Sequence, residues 1–317
     1  MMSKKILDVK HLKKYYPVSK KSFLHAVDDV SFSIFQGEIF GIVGESGSGK
    51  STIGRSILNL IAIDKGEIYW DGTRIDSLDA KGMLEFRKKM QMVFQNPLAS
   101  FNPKQYIGSA FSELCKFYKI SRHEMNEKII KLLELINLPA DVLTRMPSQL
   151  SGGQLQRLSI ARSLLLEPDF IVADEPVSAL DVSVQAQILN LILDLRDKMG
   201  LTILFISHDL NVVERICDRV AVMYLGVIVE MAKKEQLFSH TMHPYTHALI
   251  EVNPIEHPSL RKDREIIAGD IPSAVDVGEG CRFAGRCQYC KKGLCDCVTP
   301  ELIEVESGHW VACHCPF

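Results

Sequence analysis

The chain has 317 residues, 46% hydrophobic and 24% charged, and a formal net charge of −2. That supply of apolar residues excludes a disordered chain and suits about two packed domains. The near-balance of charge gives no general attraction to nucleic acid, so no nucleic-acid partner is expected. The longest apolar runs, at 57–63, 201–206 and 220–230, fall short of the ~18–20 residues a membrane-spanning helix needs. No apolar segment follows the opening lysines, so a secretory signal is not expected and the chain is expected on the cytosolic side.

Strands are predicted at 6–12, 30–35 and 38–43. The third runs into Gly44-Glu-Ser-Gly-Ser-Gly-Lys50-Ser51 and then a helical pattern over 51–60. Strands at 67–70 and 91–94 follow. From about 103 to 167 the pattern turns wholly helical, with amphipathic stretches at 109–118, 123–136 and 152–166 and no strand between them. This predicts an all-helical insertion in an α/β domain. A strand at 170–173 ends in Asp174-Glu175. A helix over 183–199, capped by Asp181 or Ser183, and strands at 202–206 and 220–224 complete the alternation. After about 251, prolines 254, 258 and 272 and glycines 269, 278 and 280 mark a linker.

The segment 44–51 fits G-x-x-x-x-G-K-[ST] in the strand–loop–helix setting that motif requires. Its glycines let consecutive N–H groups face a phosphate, and the helix N-terminus adds partial positive charge. Gly44, Ser46, Gly47, Ser48, Gly49, Lys50, Ser51 and Thr52 are the candidate phosphate contacts. Lys50 is expected to reach the β- and γ-phosphates, and Ser51 to ligate Mg²⁺. Asp174, ending an apolar strand, is the second candidate for holding the metal. Glu175, one residue on, is placed to polarise an attacking water.

Leu150-Ser-Gly-Gly-Gln154 lies at a helix start about 20 residues before Asp174. It resembles the signature motif of the ATP-binding cassette (ABC) ATPases. Other elements of that family follow in order: Tyr16 as the adenine-stacking aromatic, with Tyr15 the competing candidate; Gln95 as the Q-loop residue and a metal contact; Ser178-Ala-Leu-Asp181 as the D-loop; His208 as the switch histidine. The resemblance covers residues 1 to about 250. It implies a P-loop (RecA-like) core with an N-terminal antiparallel β region. It also implies that Ser151, Gly152, Gly153 and Gln154 cap ATP held by an opposing subunit. Lys50, Gln95, Glu175 and His208 are then the catalytic set.

Lys50-Ser-Thr-Ile-Gly-Arg55, Met90-Gln-Met-Val-Phe-Gln-Asn-Pro97 and His243-Pro-Tyr-Thr246 look like the oligopeptide/dipeptide importer ATPases, a group that includes nickel importers, and specifically their F-type subunit. The partners this implies are a D-type ATPase subunit, two transmembrane permease subunits and an extracytoplasmic solute-binding protein, with this chain peripheral on the cytoplasmic face of the inner membrane. The rival readings are a non-transport ABC ATPase of repair or translation, an importer of nickel or another small solute in the same family, and an iron–sulfur redox regulator that uses ATP as a signal.

Seven of the nine cysteines fall between Cys281 and Cys315. Cys115 and Cys217, isolated in apolar helical surroundings, read as buried inert thiols. In this family the C-terminal extension, here 251–317, carries four spaced cysteines. Cys281, Cys287, Cys295 and Cys313 match them, the last within Gly308-His309-Trp-Val-Ala-Cys313. Seven residues separate Cys287 from Cys295 where the family has about six, which leaves Cys290 as a substitute third ligand. The resemblance implies a [4Fe–4S] cluster, with Zn²⁺ the alternative.

Overall fold

A computed structural model describes residues 4–252 and 272–317. Residues 253–271 of the predicted linker lie outside the described residues; its remainder is described, and Val275 there bridges to Leu24. The chain forms two compact units: Met1–Leu78 with Phe205–Phe317, and Asp79–Leu204.

The first unit opens with two long antiparallel strands, β1 (Lys5–Pro17) and β2 (Phe23–Phe35), paired from Lys5↔Phe35 to Pro17↔Phe23. Both run further than their apolar alternation predicts. One face is core, supplied by Leu7, Val9, Leu12, Val27, Val30, Phe32 and Ile34. β3 (Ile39–Val43) is buried along its whole length and leads through the glycine loop into α1 (Lys50–Ile57). β4 (Lys65–Trp70) pairs with β1, and β5 (Thr73–Arg74) pairs with β4. The result is the four-stranded antiparallel sheet β2-β1-β4-β5.

The second unit contains α2 (Met83–Lys89) and β6 (Met90–Val93), then the predicted helical region as α3 (Ile107–Phe117), α4 (Arg122–Leu135) and α5 (Gly152–Leu164). β7 (Phe170–Asp174) lies parallel to β6, Met90 opposite Phe170 and Val93 opposite Ala173. α6 (Val182–Met199) begins at Asp181 and is stopped by Gly200 in the left-handed region, φ 66°. All five residues of β7 and all six of β8 (Thr202–Ser207) are buried, which explains their unbroken apolar runs. β8 carries the chain across the division back into the first unit.

There follow α7 (Leu210–Ile216), β9 (Arg219–Tyr224), β10 (Val227–Lys233), α8 (Lys234–Ser239), α9 (Pro244–Val252), β11 (Ile303–Glu306) and β12 (His309–Val311). β3 is parallel to β9, and antiparallel pairing continues β9-β10-β12-β11. The tail is thus sewn onto the first unit's sheet: β12 lies beside β10, with Glu230 opposite Val311. A buried contact reinforces the seam. Glu230 accepts hydrogen bonds from the backbone N–H of Met242 (2.7 Å) and His243 (3.1 Å), and its Oε1 lies 2.7 Å from Nε2 of His309. Burial pushes the His243 imidazole down to about 4, so it is neutral at pH 7, its Nδ1 accepting the N–H of Tyr245.

Candidate active site

In the first unit, the glycine loop is shaped by its neighbours. Gly49 has φ 102°, and a Cβ there would lie 1.9 Å from the carbonyl oxygen of Ala26 on β2. Only glycine permits both the backbone angle and the approach. Gly49→Ala must therefore displace the loop from β2. The expected result is a loss of ATP affinity of tenfold or more, about 1.4 kcal/mol, read by equilibrium titration with a fluorescent nucleotide. Unchanged affinity would remove the geometric basis for a cradle at this loop.

Lys50, 4% exposed, turns its ammonium back into the loop. It donates to the carbonyl oxygens of Gly44 (2.7 Å) and Glu45 (2.9 Å) and lies 3.5 Å from Ser48 Oγ. A cation centred among backbone dipoles at a helix start is a polyphosphate site. His208 is exposed just after β8, and the following Asp209 caps α7 by accepting the N–H of Asn211 at 2.9 Å.

The two tyrosines near the end of β1 differ in their commitments. The Tyr15 hydroxyl donates to Asp28 at 2.5 Å, and its ring lies 4.3 Å from the His25 ring. Burial and then the Asp28 hydrogen bond hold the Tyr15 phenol well above its ordinary value. Burial alone would raise the Asp28 carboxyl, but hydrogen bonds from Tyr15, His25 and Lys13 outweigh it and hold it low. The Tyr16 ring instead lies beneath the Lys14 ammonium at 5.3 Å.

In the second unit, Asp174 ends β7 and is 2% exposed. Glu175 sits in the left-handed region, φ 46°, an uncommon conformation for a non-glycine residue and one that collects at functional sites. Its Oε2 accepts a hydrogen bond from Gln95 Nε2 at 2.8 Å, so two candidate residues separated by 80 positions are brought into contact. α5 opens with a reciprocal capping box: Ser151 Oγ accepts the Gln154 N–H at 3.3 Å, and Gln154 Oε1 accepts the Ser151 N–H at 3.0 Å. Ser151 and Gly152 are exposed, as are Asp181 and Val182 at the start of α6.

In the tail, Cys281, Cys287, Cys295, Cys313 and Cys315 line one small cavity with Phe283, His243 and His314. Cys290 is not among its lining residues, while Cys295 is buried. Backbone N–H groups point at two of the sulfurs: Lys291 N to Cys295 Sγ and Cys315 N to Cys313 Sγ, both 3.4 Å. Burial, with neighbouring thiols adding to it, pushes Cys281 up to about 11. Among the described residues no group of three or more His, Cys, Asp or Glu side chains is disposed to hold a metal ion. The donor chemistry of the cavity fits a thiophilic metal; the side chains as they stand do not enclose one. Cys115 and Cys217 are buried elsewhere, as their surroundings predicted.

Sequence reasoning passed over Glu45, Asp28, Arg282 and Arg286. Arg286 donates to both carboxylate oxygens of Glu45, at 2.8 and 3.2 Å, and Arg282 to Asp28 at 2.5 Å. The available signal was the alternation Cys281-Arg-Phe-Ala-Gly-Arg-Cys287, which places two cations between cysteines.

A glycine cradle closed on a buried lysine in the first unit, and in the second a buried strand ending at Asp174 with Glu175 next to it, are the features of a P-loop nucleoside triphosphatase of α/β fold. Residues 27–178 match the ABC transporter family, and residues 229–295 match the C-terminal region of oligopeptide/dipeptide transporters. A relative from Brucella ovis is 49% identical over 97% of each chain. The dipeptide transport ATP-binding protein DppF of Haemophilus influenzae is 46% identical over 97% of this chain and 96% of its own. The oligopeptide transport ATP-binding protein OppF of the same organism is 42% identical with the same coverage. Among solved structures, the ATP-binding cassette MJ0796 in a post-hydrolysis state with ADP and Pi superposes with a TM-score of 0.66 at 30% identity, over 72% of this chain and 99% of that one. The cassette cbiO1 from Clostridium perfringens gives 0.67 at 27%, over 75% and 92%. The chain belongs to the ABC transporter ATPases and is an ATP-binding, ATP-hydrolysing subunit of that family.

Proposed function

We propose that this chain is the F-type ATPase subunit of a peptide importer, working against a D-type ATPase, two permease subunits and a solute-binding protein at the cytoplasmic face of the membrane. The observation that carries this reading is the 42–46% identity, along nearly the whole length, to dipeptide and oligopeptide transport ATP-binding proteins. The match at 229–295 to the transporter C-terminal region favours transport over repair or translation. No described helix is long and apolar enough to cross a membrane, so attachment would come through the permease subunits.

In the proposed cycle Tyr16 stacks on adenine and the loop 44–52 wraps the phosphates. Ser51, Asp174 and Gln95 are the residues that would hold Mg²⁺, whose chemistry is to neutralise phosphate charge. Glu175 orients the attacking water, Lys50 stabilises charge on the transferring phosphoryl group, and His208 senses the γ-phosphate. Ser151–Gln154 and Asp181 are presented to the opposing subunit. Cys281, Cys287, Cys295 and Cys313, as thiolates, are the residues that would hold a [4Fe–4S] cluster, which would supply a structural tie, drawing a short segment into a folded knot.

One preparation tests both parts. The tagged chain is extracted in detergent without oxygen; its co-purifying subunits are identified, and iron, acid-labile sulfide and zinc are measured. Permease and second-ATPase subunits with iron and sulfide are expected. A chain that comes out alone rejects the importer reading. Stoichiometric zinc without sulfide rejects the cluster, and neither metal reduces the tail to free thiols.

A further inference from the structure

The tail does more than pack beside the nucleotide loop. Within the first unit, residues 282–286 reach two ends of the proposed nucleotide site. Arg286, 8% exposed in its side chain, makes a bidentate pair with Glu45, 21% exposed. Glu45 lies inside the glycine loop. Its backbone N–H donates to Tyr245 Oη at 3.1 Å, and its carbonyl accepts from Lys50. Arg286 also lies 3.3 Å from the Tyr224 hydroxyl. Phe283 packs against both of these rings, 5.3 Å from each, while Tyr224 and Tyr245 touch one another at 4.6 Å. A carboxylate inside a loop that must wrap a polyphosphate is an electrostatic liability. Unneutralised in a partly buried site, it repels the ligand the loop exists to bind. Planar, bidentate pairing with a guanidinium removes that charge and fixes the loop at once.

Arg282, also 8% exposed, pairs with Asp28, 13% exposed. Asp28 in turn receives Tyr15 Oη, Lys13 Nζ at 3.1 Å and lies 3.2 Å from His25 Nδ1. Tyr15 and Tyr16 are neighbours on β1, and successive strand residues face opposite sides. Pinning Tyr15 on one side therefore sets the side on which Tyr16 is presented.

We propose that Arg286 and Arg282 are positioning residues of the ATP site, the first neutralising and fixing Glu45 of the phosphate loop, the second holding the tyrosine platform through Asp28. The C-terminal extension is then an integral part of the nucleotide site. This rests on the reading of residues 44–52 and Tyr16 as that site.

The test is equilibrium binding of ATP and of inorganic triphosphate to the full chain. Arg286→Gln is expected to weaken both ligands alike, tenfold or more. Adding Glu45→Gln to it should restore most of the loss, because the unneutralised carboxylate is gone. Arg282→Gln should weaken ATP severalfold and leave triphosphate unchanged, since only the base end is disturbed. If the arginines merely fold the tail, both variants lose both ligands equally and the double variant is not rescued, which overturns the proposal. Affinities within twofold of the parent in both single variants overturn it too. Lys50→Ala separates the two levels. If that variant binds both ligands normally, the nucleotide-site reading itself fails. If it abolishes binding while the arginine variants are silent, only the present inference fails.

Discussion

Glu175→Gln is expected to bind ATP as the parent chain does and to hydrolyse it about 10²–10⁴-fold more slowly, the usual cost of losing a positioned base. The geometry behind this expectation is specific. The Glu175 backbone is held at φ 46°, immediately after the buried Asp174, and its carboxylate accepts from Gln95 at 2.8 Å. A carboxamide keeps the size and the Gln95 contact but cannot take a proton from water. The measurement is single-turnover hydrolysis in the assembled transporter, beside nucleotide binding on the same preparation. Turnover above roughly a third of the parent's would be far outside that range and would take the base role from Glu175. Lys50→Ala should fail one step earlier, at binding. The two variants therefore separate the phosphate cradle from the chemistry.

The largest expected effect on stability is at Glu230. This side chain and His309 are both fully buried, and Glu230 serves as acceptor for the N–H groups of Met242 and His243 as well. Glu230→Ala removes all three contacts and leaves buried donors without an acceptor, each costing ~1–3 kcal/mol. Breaking a buried pair by deleting one partner typically costs about 3–5 kcal/mol. We expect a loss in that range in urea denaturation, accompanied by faster proteolysis of the residues after 272. Glu230→Gln should recover part of it, because the amide oxygen can still accept a backbone N–H, and the imidazole can offer a bare nitrogen to the NH₂ by changing tautomer. A loss below about 1 kcal/mol in Glu230→Ala would mean that the seam between β10 and β12 is held by the strand ladder alone.

Much of this molecule is local enough to be read from its sequence. β3, β7 and β8 are runs of apolar residues buried on both faces, and such runs carry their own signal. The start of α5 is written in Ser151 and Gln154, three residues apart, because a capping box is made by neighbours. The phosphate loop is equally local: the glycines, Lys50 and Ser51 all act within one turn of chain. For the same reason the family resemblance, carried by short motifs, led to the class of protein the comparisons establish. The all-helical stretch between β6 and β7 was legible from helical periodicity over many turns.

What the sequence could not show depends on residues that meet only after folding. β1 and β2 run to Pro17 and from Phe23 through weakly apolar residues because each supplies the other's hydrogen-bond partners. The strand β12 forms because β10 offers an edge. Gln95 meets Glu175 across 80 positions, and Arg286 meets Glu45 across 241. No periodicity or spacing links such pairs, since ion pairs and hydrogen bonds depend on distance in space. Chain order alone determined a P-loop ATPase of the cassette type. Tertiary structure alone decided that Cys315 joins Cys281, Cys287, Cys295 and Cys313 around the tail cavity, and that two arginines from that tail lie against the nucleotide loop and its tyrosines. These follow from how the tail folds back onto the first unit, where burial makes each charge find a partner.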